Sequence, residues 1–118
     1  SMSPTIIEKE GKLFMVIGTP GGSKIITTVF QNIINVLEYG MSMQEAVNAK
    51  KIHCQWKPDT IYMEQNAIDS MTIKQLQKKG QNIVSRASIG RTDAILILPN
   101  GKLEGGADQR GDDKAEGY

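Results

Sequence analysis

Residues 18–25 read GTPGGSKI, a glycine-rich stretch that predicts a tight turn between two regular elements. It follows an apolar run at residues 13–17 and precedes a segment with the apolar period of a helix. A strand, a glycine-rich turn and a helix in this order favour anion binding, because the first N–H groups of a helix lack intrahelical acceptors. The first question is therefore which anion: a phosphate, or the oxyanion of an acyl transfer.

The spacing of the loop does not fit a nucleotide-binding phosphate loop. That motif needs a second glycine five residues after the first and a hydroxyl residue after its lysine, whereas Ser23 lies five residues after Gly18 and Lys24 precedes an isoleucine. Gly21 and Gly22 lack a Cβ, so a substrate can approach their backbone N–H groups closely. Two such donors aimed at one point form an oxyanion hole. The loop alone also permits a plainer interpretation, in which the two glycines only turn the chain.

Composition and charge exclude several classes of partner. The chain has 118 residues, of which 39% are apolar and 23% charged, as expected for one domain or a piece of one. Its net charge of +1 and few aromatic residues give no basis for nucleic-acid binding. No apolar run is long enough to span a membrane, so we expect no membrane insertion. Cys54 is the only cysteine, which excludes an internal disulfide, and no cofactor or metal is expected.

Hydrophobic periodicity predicts an α+β fold with an antiparallel sheet and helices packed on it. We expect strands at residues 5–8, 13–17, 52–56, 60–64, 82–86, 93–98 and 102–107, and helices after the glycine loop, at 43–50 and at 68–79. The strand at 13–17 is expected to be buried on both faces. The first helix is expected to place one apolar face inward, formed by Ile26, Val29, Phe30, Ile33, Ile34 and Leu37. The first and last strand pairs should each leave an exposed edge.

Other chemically suggestive residues have plainer interpretations. His53 and Cys54 are adjacent on a predicted strand and therefore point to opposite faces, which argues against a shared metal or a nucleophilic pair. The tripeptide at residues 110–112 reads Arg-Gly-Asp, a sequence short enough to occur by chance. Asp112, Asp113 and Glu116 do not have the spacing of a calcium-binding loop, and we expect a solvated acidic tail.

Several stretches, taken together, resemble the γ-glutamyltranspeptidases. They are Ser1-Met2-Ser3-Pro4-Thr5-Ile6, the glycine loop with the helix start through Val29, Asn48-Ala49, His53, Gln55-Trp56-Lys57-Pro58-Asp59, and residues 106–118. They cover essentially the whole chain in the family's order. The resemblance implies part of the four-layer αββα sandwich of the N-terminal-nucleophile hydrolases. It also implies γ-glutamyl transfer or hydrolysis, with glutathione as the typical substrate, through an acyl-enzyme formed on an N-terminal threonine.

The resemblance also implies roles for individual residues. Gly21 and Gly22 match the pair whose backbone N–H groups form the oxyanion hole. Ser1 matches the second of two adjacent serines that hold the α-carboxylate of the γ-glutamyl group, and Met2 matches the residue after them. The partners implied are the upstream small-subunit segment, the large subunit and a small γ-glutamyl substrate. The implied location is periplasmic or extracellular.

The departures from the family pattern shape the expectation. The nucleophilic threonine and the first serine of the pair do not occur here, and Thr5 is neither N-terminal nor beside a base. We therefore expect residues 1–118 to be the C-terminal part of a small subunit, inactive alone and prone to self-association. Ser1 and Met2 are either native or vector-derived. The alternative is a non-catalytic α+β module whose glycine loop binds a carboxylate ligand or a partner chain.

Overall fold

The computed structural model describes residues 3–117 and divides the chain into two compact units. The first unit consists of Ser1–Ala49 with Gly90–Tyr118, and the second is Lys50–Ile89. This division was not predicted, because no linker composition marks either boundary. The second unit is thus continuous in sequence, whereas the first is assembled from both ends of the chain.

The helices and strands follow the predicted order closely. The strands are β1 (Thr5–Lys9), β2 (Lys12–Gly18), β3 (Ile52–Gln55), β4 (Thr60–Glu64), β5 (Ile83–Arg86), β6 (Asp93–Ile97) and β7 (Leu103–Ala107). The helices are α1 (Ile25–Leu37), α2 (Met43–Asn48) and α3 (Ser70–Lys78), and a short 3-10 turn (Gly22–Lys24) precedes α1. The α+β class predicted from the sequence is confirmed.

The first unit is built on a four-stranded antiparallel sheet with the strand order β1-β2-β6-β7. Its edges are β1 and β7, as predicted. The register pairs Thr5 with Ile17, Gly18 with Asp93, and Asp93 with Ala107. The start of β1, the end of β2, the start of β6 and the end of β7 therefore lie along one margin of the sheet.

The core lies between this sheet and the helices α1 and α2. In β2, Met15 and Ile17 are buried, whereas Phe14 and Val16 are only half-buried. The prediction that this strand is buried on both faces is therefore wrong, because the two helices cover one face of the sheet. On the other face, Ile6, Ile95 and Leu103 are exposed.

The inward face of α1 matches the predicted one at Val29 and Ile33 but not at Ile26 and Phe30. Ile25 and Val29 are buried against the sheet, while Ile26 and Phe30 are 79% and 61% exposed. The prediction failed because apolar residues occupy more than one side of this helix, and periodicity alone does not say which side contacts the sheet. Polar side chains fill part of the buried face instead, as described below.

The helix α2 begins at the predicted capping box. The Glu45 N–H donates to Ser42 Oγ at 3.1 Å, and the Ser42 N–H donates to Glu45 Oε1 at 3.4 Å, which satisfies two N–H groups that the helix leaves unpaired. The Met43 N–H donates to Glu104 Oε1 at 2.7 Å. The last of these bonds links the start of α2 to the edge strand β7.

The second unit is a three-stranded sheet in which β4 pairs antiparallel with β3 and parallel with β5. The helix α3 makes the crossover between β4 and β5. His53 is buried and Cys54 is exposed, as the strand assignment predicted. The Glu64 carboxylate accepts the N–H groups of Lys51 at 2.6 Å and Ile89 at 3.2 Å. Among the described residues, no helix has the length and apolar character that a membrane span requires.

Contact between α2 and β7 requires a glycine at position 106. A Cβ there would lie 2.9 Å from both the Cγ and the carbonyl oxygen of Met43. We expect Gly106→Ala to lower the free energy of unfolding by about 1–3 kcal/mol, as overpacking of a core does. Gly117→Ala is the control, since a Cβ at Gly117 meets nothing within 4 Å. Urea unfolding of both variants measures the difference, and equal midpoints would contradict this account.

Candidate active site

Gly21 and Gly22, the predicted site residues that the structure describes, follow one margin of the four-stranded sheet. The β2 strand ends there at Gly18, beside Asp93, and the glycine loop follows directly. The β1 strand begins at the same margin with Thr5, so the chain approaches β1 from that side. Ser1 and Met2 lie outside the described residues, and their expected roles stay predictions.

The two loop glycines adopt backbone conformations that other residues rarely take. The φ angle is 139° at Gly21 and 59° at Gly22. A Cβ on Gly22 would meet nothing within 4 Å, so glycine is required there for its conformational freedom rather than for space. Both glycines are exposed, and neither N–H group donates to an acceptor among residues 3–117. The loop therefore presents two open donors.

The electrostatics around these donors favour an anion. The 3-10 turn leads into α1, whose N-cap residue is Lys24, and the first turns of both segments contain no acidic residue. The positive end of the helix dipole thus lies beside the lysine Lys24. This arrangement is compatible with the anion-binding role predicted from the sequence.

The side chain of Thr19 restrains the glycine loop by hydrogen bonds on its buried side, a role that was not predicted from the sequence. Its side chain is fully buried. Its Oγ1 accepts the N–H of Arg91 at 2.9 Å and donates to the carbonyl oxygen of Pro20 at 2.9 Å. No local pattern could have identified this contact, because Arg91 lies 72 residues away in sequence.

A layer of buried polar side chains continues from Thr19 along the same margin. Asn32 Nδ2 donates to Thr92 Oγ1 at 3.1 Å, and the Thr92 N–H donates to Asp108 Oδ2 at 2.7 Å. Asn32, Thr92 and Asp108 are each at most 1% exposed. Gly90 passes so close to Thr28 that a Cβ there would lie 2.6 Å from Thr28 Cγ2. The segment before β6 is thereby fixed behind the glycine loop.

Asp108 is also the partner of a buried arginine. Arg110 Nη1 lies 2.9 Å from Asp108 Oδ1, and the same guanidinium donates to the carbonyl oxygens of Val47 at 2.7 Å and Ala49 at 2.9 Å. The Arg-Gly-Asp tripeptide therefore begins with a side chain that ties the tail to the end of α2. The predicted solvated acidic tail is confirmed at Asp112 and Glu116, which are exposed, whereas Asp113 is only half-exposed. Asp108, at the start of the tail, is buried, and its carboxylate accepts several N–H groups.

A second ion pair fixes the tail further along. Arg91 Nε and Nη2 donate to the two carboxylate oxygens of Asp113, each at 2.6 Å. The hydrogen bond from Arg91 lowers the pKa of Asp113. Partial burial raises the pKa of Asp93, and the neighbouring negative charge of Asp113 adds to the effect. The ionised form of Asp113 is thus stabilised, and the ionised form of Asp93 is destabilised.

The tail borders a groove on the open face of the sheet. Residues 114–117 line one side, and Ala115 lies so close to Gly105 that a Cβ on Gly105 would be 2.8 Å from it. The groove has a volume of about 580 Å³ and extends to Pro4, Gly18 and Asp93 at the margin. The groove lining includes Gly18 but neither of the two loop glycines.

Comparison with known proteins identifies the family. The family model for "Gamma-glutamyltranspeptidase" matches residues 1–118. The chain belongs to the γ-glutamyltranspeptidase family. The "Glutathione hydrolase proenzyme" of Escherichia coli K12 is 44% identical over 119 residues, a match that covers 100% of this chain and 20% of that relative. The chain therefore spans about a fifth of this curated relative's length.

Solved structures of the family share the fold. The T380A mutant of Helicobacter pylori γ-glutamyltranspeptidase is 44% identical, with a TM-score of 0.88 over 94% of this chain and 61% of that chain. The Pseudomonas nitroreducens γ-glutamyltranspeptidase complexed with L-DON is 33% identical, with a TM-score of 0.89 over 100% of this chain and 62% of that chain. The resemblance seen in the sequence is thus confirmed at the levels of family and fold.

The raised pKa of Asp93 predicts a pH-dependent effect of its removal. A folded-state pKa above the unfolded value means that ionisation of Asp93 lowers stability as the pH rises through that range. We expect Asp93→Asn to be more stable than the parent at pH 7, and this advantage to shrink toward pH 4 as the carboxyl becomes protonated. The gain should be small, because the side chain is partly solvent-exposed.

Urea unfolding at several pH values between 4 and 7 measures this effect. Asp59→Asn, which removes an exposed carboxylate in the second unit, is the charge-matched control. A parent protein more stable than Asp93→Asn at pH 7 would show that the ionised carboxylate is stabilising instead.

Proposed function

We propose that this chain is the C-terminal part of a γ-glutamyltranspeptidase small subunit and supplies the oxyanion hole for γ-glutamyl transfer or hydrolysis. The observation that carries the proposal is the pair of exposed N–H groups at Gly21 and Gly22, which have no acceptor among residues 3–117, in a chain that matches the family model. Ser1 and Met2 are proposed to contribute to the site for the γ-glutamyl carboxylate. The nucleophilic threonine belongs to the upstream small-subunit segment, so the isolated chain is inactive.

The proposed chemistry is acyl transfer in two steps. The threonine hydroxyl adds to the carbonyl carbon of the γ-glutamyl amide, and the carbonyl oxygen becomes an oxyanion that accepts hydrogen bonds from Gly21 and Gly22. The tetrahedral intermediate collapses to an ester as the amine leaves with a proton. Water or an acceptor amine then attacks the ester through a second oxyanion and releases the threonine. The loop stabilises both oxyanions, with no metal or cofactor in the scheme.

The partners follow from the same proposal. The upstream small-subunit segment and the large subunit complete the active site, and the substrate is a small γ-glutamyl amide such as glutathione. A periplasmic or extracellular location is proposed from the family resemblance.

A chimera tests the proposal directly. In it, this chain replaces the matching 119 residues of the Escherichia coli relative. We expect the chimera to cleave a γ-glutamyl anilide and the isolated chain not to cleave it. We expect Gly22→Ala in the chimera to lower kcat by about 10²–10³-fold, the loss typical of one oxyanion donor, because an L-residue disfavours the left-handed backbone that aims the N–H.

Gly11→Ala is the matched control for Gly22→Ala. Gly11 also has a positive φ, 75°, and a Cβ there also meets nothing within 4 Å, but it lies in the β1–β2 turn at the far end of the hairpin. Equal losses in the two variants would attribute the effect to strain in general. A chimera that is cleaved into a large and a small subunit but is inactive would favour the alternative, a non-catalytic module whose loop binds a carboxylate ligand or a partner chain.

We also propose that the isolated chain self-associates. The open sheet face exposes Ile6, Ile95 and Leu103, and β1 and β7 leave unpaired strand edges. We expect the weight-average mass in sedimentation equilibrium to rise with concentration and Leu103→Lys to shift this rise to higher concentrations. A monomer at all accessible concentrations would contradict the proposal.

A further inference from the structure

We propose that Thr19 is a positioning residue that aims the N–H of Gly21 by fixing the orientation of the peptide that precedes it. This inference rests on the proposed oxyanion-hole function. It arises from two hydrogen bonds of a single fully buried hydroxyl, one accepted from Arg91 and one donated to Pro20.

The geometry of the peptide group makes the link. The carbonyl of Pro20 and the N–H of Gly21 belong to one planar trans unit and point in opposite directions. Because Thr19 Oγ1 holds the Pro20 carbonyl at 2.9 Å on the buried side, the Gly21 N–H must face away from that side. A rotation of this peptide would break the bond to Thr19 and turn the donor inward.

The next peptide is held in a similar way, but by the backbone. The Lys24 N–H donates to the Gly21 carbonyl oxygen at 3.1 Å, which fixes the plane that carries the Gly22 N–H. For both proposed donors, a hydrogen bond to the carbonyl oxygen of the same peptide group sets the direction of the N–H. The bond from Thr19 to Pro20 depends on a side chain, whereas the bond from Lys24 to Gly21 involves only the backbone. Substitution at Thr19 therefore removes the first bond and leaves the second in place.

The hydroxyl of Thr19 is itself held by distant parts of the chain. It accepts the N–H of Arg91, and the next residue, Thr92, is bonded to Asn32 and Asp108. The Arg91 N–H uses one of the two lone pairs of Thr19 Oγ1, and the single hydroxyl hydrogen donates to Pro20. A buried hydroxyl between two backbone partners has little rotational freedom.

Substitutions in the chimera test the proposal. Thr19→Val keeps the shape and removes the hydroxyl, and Thr19→Ser keeps the hydroxyl. We expect Thr19→Val to lower kcat on the order of tenfold or more with little change in KM, because an interaction used only in the transition state is weakened, and Thr19→Ser to retain most of the activity. Thr19→Ala is the second variant if the valine variant does not fold.

Thr28→Val is the matched control. Thr28 is also fully buried, and its hydroxyl has no hydrogen-bond partner among the described residues. The same substitution there removes a buried hydroxyl without releasing the loop, so kcat should be maintained. Crystal structures of the two valine variants supply a readout that does not depend on activity. We expect the Pro20 carbonyl to rotate only in Thr19→Val.

The outcomes separate this proposal from the one on which it rests. An inactive parent chimera together with a rotated Pro20–Gly21 peptide in Thr19→Val would refute the oxyanion-hole function and leave the positioning role standing. A Thr19→Val variant whose peptide keeps its orientation, or whose kcat equals that of Thr28→Val, would overturn the positioning role. Loss of activity in Thr19→Ser equal to that in Thr19→Val would also overturn it.

Discussion

The pairing of β2 with β6 is the constraint on which the rest of the first unit depends. It joins Gly18 to Asp93, two positions far apart in sequence, and so brings the glycine loop against the segment that precedes β6. The closure of so long a loop carries an entropic cost that grows only slowly with length. Once the pairing forms, Arg91 and Thr92 lie within hydrogen-bonding reach of Thr19 and Asn32.

The buried polar side chains at this margin restrain the segments that the β2–β6 pairing brings together. Arg110 and Asp108 form an ion pair with the remaining donors directed to the carbonyl oxygens of Val47 and Ala49. Loss of one partner of such a pair leaves an uncompensated buried charge and typically costs about 3–5 kcal/mol. The cost of breaking any member favours a single arrangement of the segments that surround the glycine loop.

Local patterns in the sequence predicted most of the elements but not their environment. The capping box at Ser42 and the glycine loop depend on residues a few positions apart, and both were placed correctly. The inward face of α1 was predicted correctly at Val29 and wrongly at Ile26 and Phe30, because all three satisfy the helical period equally well. Thr19 and Asp108 were missed because their partners are defined only by the pairing of distant strands. The sequence therefore revealed the loop but not the contacts that orient it.

The way the loop is held bears on how catalytic groups can be divided between segments of one enzyme. Oxyanion donors are effective when they are oriented before the reaction, since no reorganisation is then needed as charge develops. Here the hydrogen bonds from Thr19, Lys24 and Arg91 that hold the glycine loop come from residues 19–24 and from the segment before β6, all within the first unit. The nucleophile can then be contributed by another segment, because the donors need only be presented at a fixed margin of the sheet. A buried hydroxyl on the inner side of the loop can orient a backbone donor in advance, because it does not occupy the space that the substrate needs.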